Sequence, residues 1–277
     1  LHICTPLATH ADLAKQALAL NKHLIVEKPL VASSAALREL QGIAQQQARL
    51  LCPVHQFAFQ RGVNQIKDEL SRRVAKPLTV VFDFASAGGL DLQGEALNQL
   101  LLEILPHPIS ILLDIWPGGS LNGESWWVDN PIDGELFAYG HYSEMAVSIK
   151  LSLHARPTHS TMTIYHPDGA LRANLFHGFA VFDSATTSRI TKISAPFVDS
   201  FKTLYTASIN LLRRTLSREP AYPGLRNLLA GCYQSIAQET PPPISDAQAL
   251  GVALFCESVA LKLSEQQQQE QSVSSAQ

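Results

Sequence analysis

Hydrophobic and polar positions follow two different rhythms along this chain, and the change falls near residue 57. Before it, short apolar runs at 1–4, 24–26 and 50–54 end in turn residues and read as buried strands. Between them the spacing is helical. Ala11, Leu13, Ala14, Ala17, Leu18 and Leu20 form one apolar face, with Thr9 as N-cap, Asp12 three residues later and Asn21 as the stop. Ala36, Leu37, Leu40, Ile43 and Ala44 form a second face, capped by Ser33 or Ser34. Strand, helix, strand, helix, strand predicts parallel strands joined by right-handed crossovers. Ligands in such sheets sit beyond the carboxyl ends of the strands. Thr5-Pro6 and Glu27-Lys28-Pro29 stand there.

After residue 57 the pattern predicts a helix through Val63, Ile66 and Leu70 and a strand at 78–84. A long apolar, mostly helical stretch at 97–116 is interrupted at Pro106-His107-Pro108. Strands follow near 135–139, 146–153, 160–165 and 170–176. His166-Pro167-Asp168-Gly169 joins the last two as a hairpin, because Pro presets a turn and Gly supplies positive φ. Helices return at 201–216, 225–238 and 247–263. The chain therefore divides into an α/β segment, 1–56, and a largely antiparallel α+β domain, 57–264. The Gln/Ser-rich tail, 265–277, lacks apolar periodicity and is expected to be disordered.

Composition narrows the classes. With 46% hydrophobic residues in 277, the chain buries too much apolar surface to be disordered throughout. A net charge of −3 gives no electrostatic footprint for nucleic acid or an anionic membrane. No unbroken apolar run approaches the ~20 residues of a membrane span. Cys4, Cys52, Cys232 and Cys256 form no CxxC pair and read as buried free thiols in a reducing, cytoplasmic compartment. The chain opens on a buried strand without a methionine or a signal sequence, so the expectation is that it begins inside a domain.

Two features carry candidate chemistry. Lys28, at a strand's carboxyl end and followed by proline, sits on stiff backbone where partial desolvation would suit it to hydrogen-bond an oxygen; an exposed loop lysine fits the same local pattern. Glu103 and His107 are four apart on a helix, so the carboxylate could orient the imidazole at a break between helices. A histidine filling space at a kink fits equally well. His154, His159 and His166 match no zinc spacing and read as surface or hairpin residues. Trp126-Trp127 reads as core or subunit interface. The sequence holds no G-x-G-x-x-G, Walker or G-x-S-x-G motif.

Taken in order, Ile3-Cys4-Thr5-Pro6, His10, and the run from Asn21 through Val26-Glu27-Lys28-Pro29-Leu30 resemble one family: glucose–fructose oxidoreductase, inositol dehydrogenase and the rhizopine-catabolism oxidoreductases, Gfo/Idh/MocA. Glu103-x-x-x-His107, the Gly169 hairpin and Pro243-Ile244-Ser245 extend the resemblance over nearly the whole chain. It implies a Rossmann domain, here its C-terminal half, followed by an open, mostly antiparallel sheet domain that makes homo-oligomers. The first half, about 60–80 residues with the glycine-rich loop, is expected to be missing, so the chain alone should bind a dinucleotide poorly. The implied activity is NAD- or NADP-dependent oxidation of a carbinol carbon on a sugar, cyclitol or related polyol. In that implied role His107 is the acid/base, Lys28 hydrogen-bonds the reacting oxygen, and Glu103 stands at the family's Asp. Thr5, Pro6, His10, Glu27, Lys28 and Pro29 would line the nicotinamide end, with a cis Lys28–Pro29 peptide. Glu103, Pro106 and the stretch 56–60 depart from the family pattern. The alternative is a catalytically inactive binding or dimerisation module on the same fold.

Overall fold

The computed structural model describes residues 1–89, 91–119, 121–185, 188–218 and 224–274. Its first sheet is parallel, in the order β1 (His2–Ile3), β2 (Leu24–Val26), β3 (Leu51–Pro53), with His2 opposite Ile25 and Leu24 opposite Leu51. The crossovers are α1 (His10–Ala19) and α2 (Ser34–Gln46). Ser33 caps α2 through Ala36 N–H, and Asn21 ends α1's turn at φ 55°. Thr9 precedes α1 but does not cap it. Its hydroxyl donates to the Pro6 carbonyl and contacts Thr5 Oγ1 at hydrogen-bond distance, because the chain at Thr9 is already helical (φ −99°, ψ −11°) and the side chain points back.

The 3₁₀ turn Gln56–Phe59 leads into α3 (Arg61–Leu70). Then come β4 (Thr79–Ala85), α4 (Glu95–Ile104), α5 (Pro106–Ile115), β5 (Trp127–Asp129), β6 (Glu135–Tyr142), β7 (Met145–Ser152), β8 (His159–His166), β9 (Gly169–Asn174) and β10 (Phe179–Ser184). The seven strands run β10-β9-β8-β4-β7-β6-β5, antiparallel except where β4 meets β7. The hairpin is where its Pro and Gly place it, with His166 opposite Gly169. His166 is buried rather than exposed; its ring bonds Asp168 and the Ala75 carbonyl. Trp126 is core, Trp127 exposed.

One face of this sheet is closed by α5 and by α8 (Asp246–Ser274), around Phe82, Ile109, Leu112, Trp126 and Phe255. The tail expected to be disordered continues α8 to Ser274; 275–277 lie outside the described residues. Gln and Glu are good helix formers, and the extension is tied down where Gln266 Nε2 donates to the Val128 carbonyl of β5. The first sheet's core is completed from far along the chain: Leu228 and Cys232 of α7 (Leu225–Gln238), Ile244 and Ala249 pack with Ile25, Leu37 and Leu40. Cys52 and Cys232 are buried thiols as expected, whereas Cys4 is exposed because the strand ends at Ile3.

Two helical stretches, 95–115 and 246–268, are long and apolar enough to cross a bilayer, although neither is an unbroken apolar run. Both pack on the large core, the first with 67% of its window buried. The helix α6 (Arg189–Leu216) begins well before the expected 201. It turns Lys202 and Asn210 toward the body and leaves Phe197, Phe201, Leu204 and Leu211 exposed.

Gly140 of β6 makes room for the buried Trp126 ring: a Cβ there would lie 2.4 Å from it. Gly140→Ala should destabilise the fold by about 1–3 kcal/mol, read as a lower urea midpoint with an unchanged m-value.

Candidate active site

The carboxyl ends of β1, β2 and β3 deliver Thr5-Pro6, Glu27-Lys28-Pro29 and His55 to one edge of the parallel sheet. The Lys28–Pro29 peptide is cis. Lys28 reaches across 75 residues of sequence, its Nζ donating to the Glu103 main-chain carbonyl at 2.8 Å. That carbonyl belongs to the last turn of α4, which ends at Ile104, where helix carbonyls run out of intrahelical donors. The expected break at Pro106-His107-Pro108 is a single residue, Leu105, whose own backbone is helical (φ −53°, ψ −33°); Pro106 then starts α5.

His107, in the first turn of α5, is 8% exposed and stacks on Phe57 with ring centroids 4.2 Å apart. Its Nδ1 is buried without a hydrogen-bond partner. The Glu103 carboxylate therefore does not orient the imidazole through Nδ1. It lies on the wall of a neighbouring cavity instead, and the Phe57 ring fixes the His107 plane. Phe57 is carried by the turn Gln56–Phe59, which is braced by α7: a Cβ on Gly224 (φ 89°) would sit 2.2 Å from the Gln56 carbonyl oxygen.

His10 stands between the first two of these strand ends. It is buried, and its ring nitrogens face the Thr5 carbonyl (2.7 Å) and the Pro29 carbonyl (3.0 Å), tying the ends of β1 and β2 together. A neutral imidazole can donate to only one of them at a time. Thr5 and Pro6 are exposed; Glu27 and Pro29 are half-buried.

His55 was not among the residues the sequence singled out, although it follows β3 as Lys28 follows β2. Burial, and then the Lys28 charge, push its pKa down to about 3. The same causes, with His55 added, hold His107 well below the usual histidine range. Lys28 is lowered by its own burial, opposed by Glu103 and Glu27. At neutral pH the cluster is thus two neutral imidazoles beside one lysine of reduced basicity. A cavity of ≈ 220 Å³ adjoins it, lined by Leu30, Val31, His55, Glu103, Cys256 and Glu257 among others, but by neither Lys28 nor His107. Among the described residues no cluster of His, Cys, Asp and Glu could hold a metal ion.

Residues 1–55 match the model of an oxidoreductase family with an NAD-binding Rossmann fold. The family matched by this segment is Gfo/Idh/MocA. The fold of the whole chain is that of known dehydrogenases of this type. A dehydrogenase from Chromobacterium violaceum superposes with TM-score 0.71 at 13% identity, over 100% of this chain and 80% of that one. UDP-N-acetylglucosamine 3-dehydrogenase GnnA from Acidithiobacillus ferrooxidans gives 0.68 at 12%, over 93% and 76%. An inositol dehydrogenase homologue from Azotobacter vinelandii, complexed with NADH and myo-inositol, gives 0.55 at 15%, over 68% and 54%. No curated protein matches the chain at a significant level.

The lowered His55 pKa carries a sign. Above pH 6.5 the ring is neutral folded or unfolded and contributes nothing. As pH falls from 6.5 toward 3, only the unfolded chain takes the proton, so stability drops, by about 2 kcal/mol per such histidine at pH 5. Urea midpoints measured from pH 7 to 5 should fall steeply for the wild type and less steeply for His55→Asn.

Proposed function

We propose that the chain carries the catalytic end of an NAD(P)-dependent oxidoreductase that oxidises a carbinol carbon of a sugar, cyclitol or related polyol. The observation that supports this most is the convergence of Lys28 and a neutral, buried His107 beyond the carboxyl ends of parallel strands. Thr5, Pro6, Glu27 and Pro29 on that edge fit the nicotinamide end of a dinucleotide. The sequence has no glycine-rich phosphate loop, so the fit extends to that end only. When bound, the nicotinamide supplies the two-electron acceptor.

The chain's own residues handle the proton. Oxidising a carbinol releases the hydroxyl proton, and a base must stand within hydrogen-bond reach of it. His107, kept neutral by burial and stacked on Phe57, is that base. Lys28 donates a hydrogen bond to the same oxygen, and reduced basicity makes its N–H more acidic and the bond stronger. To do so it exchanges the Glu103 carbonyl for the substrate. Self-association would use the open face of the large sheet, where Tyr139 and Tyr165 are exposed.

A second reading, a non-catalytic binding or dimerisation module, is favoured by one feature: Lys28 is already bonded and His107 nearly enclosed. One assay separates the two. The protein from its native source is given NAD⁺ or NADP⁺ with a panel of aldoses, inositols and nucleotide sugars, and reduced nicotinamide is followed by absorbance. Turnover is expected, with kcat lowered about 10²–10⁴-fold in His107→Ala and in Lys28→Ala while both keep the wild-type circular dichroism. Wild-type rates in both variants would overturn the roles, and absence of turnover across the panel would favour the module.

A further inference from the structure

A second cleft, unconnected with Lys28 and His107, lies under the C-terminal turns of α6 where α3 and α7 begin. Its volume is ≈ 500 Å³. Ten described residues line it. Four are arginines, Arg61, Arg213, Arg214 and Arg226, and none is an aspartate or glutamate. The chain as a whole carries a net charge of −3, so this concentration is not the overflow of a basic protein.

The arginines come from three separate elements. Arg61 opens α3, Arg213 is in the last turn of α6, and Arg226 is in the first turn of α7. Among the described residues neither Arg61 nor Arg213 makes an ion pair, and Arg226 uses Nη1 only on the Ser217 carbonyl at 3.3 Å. Guanidinium groups brought together without a carboxylate repel one another, and an anion between them relieves the repulsion while matching their forked donors.

Backbone polarity acts in the same sense. First-turn residues of α3 and α7 line the cleft, and neither helix has a side-chain N-cap: Gln60 donates its Nε2 to the Leu175 carbonyl and its Oε1 makes no bond, and the other cap is Gly224. Both helices begin at the cavity, with Gly62 N–H of α3 bonded to the Gly178 carbonyl on its wall at 3.2 Å. A recess of ≈ 210 Å³ shares Arg61 and Arg213 with the cleft and is walled by Phe179, Tyr205 and Ile209. The combination is a cationic chamber opening into an aromatic and aliphatic one.

We propose that this cleft binds a phosphate ester, with the phosphate held by Arg61, Arg213 and Arg226 and the organic body seated in the recess against Phe179, Tyr205 and Ile209. A doubly charged, tetrahedral group with several acceptor oxygens satisfies converging guanidiniums better than a single carboxylate does. The site does not depend on the oxidoreductase reading.

The test is calorimetric titration of the whole chain, at constant ionic strength, with inorganic phosphate and with phenyl phosphate as probes. Saturable binding of both is expected, with phenyl phosphate tighter by about tenfold because its ring is buried. Arg61→Gln and Arg213→Gln should each weaken both probes by about tenfold or more, one charge-assisted contact apiece. Neither side chain makes a hydrogen bond or ion pair within the described residues, so each variant should keep the wild-type circular dichroism and unliganded Tm. Tyr205→Ala should weaken phenyl phosphate and leave inorganic phosphate unchanged. No saturable binding of either probe, or equal binding in the arginine variants, overturns the site. Equal affinity for the two probes overturns the ester and assigns free phosphate.

Discussion

A buried ammonium has to be paid for, and here a main-chain oxygen does it. Lys28 loses most of its water at the end of β2, and the Glu103 carbonyl at the end of α4 replaces part of it. A helix C-terminus carries partial negative charge, so a cation is stabilised there more than at an arbitrary carbonyl. That carbonyl lies in the last turn of α4, where the helix has no further donors of its own to offer. The bond joins the parallel sheet to the helix that backs the large sheet. It also holds the Lys28 charge beside both buried histidines, whose pKa values are lowered first by burial and then by that charge.

Much of this architecture was legible in the sequence where local chemistry decides the outcome. The strand 24–26, the Ser33 cap, the α3 face of Val63 and Ile66, and the Pro-Asp-Gly hairpin each follow from a pattern within a few residues. β5 and β10, three and six residues long, were missed, the first too short for a period to show. The extra helix at the end of α8 was missed because its stabilising contact, Gln266 to Val128, spans 138 residues.

The candidate site shows the same limit more sharply. Lys28 and His107 were singled out from local pattern and the order of motifs, yet the atoms they meet could not be. Glu103 contributes its main chain where its carboxylate was expected, and His10 bonds two carbonyls where a ligand contact was expected. Backbone carbonyls are the same at every position, so no sequence pattern marks which one a buried donor will find. His55 is different. It follows β3 at the carboxyl edge of the parallel sheet, and the strand-end rule that pointed to Lys28 pointed to it equally.

The brace behind Phe57 has a mechanical reading. The turn Gln56–Phe59 is gripped where Gly224 meets the Gln56 carbonyl, and just beyond it Gly62 lies against the backbone of Phe179, a Cβ there falling 2.7 Å from that residue's carbonyl carbon. Both contacts are backbone against backbone, with no side chain to compress, so the turn behaves as a rigid strut between α7 and β10. The ring stacked on His107 is thus joined to both supports through main chain alone. The His107 ring is therefore backed by two positions far from it in sequence, and its alignment is a property of how distant helices and strands are seated.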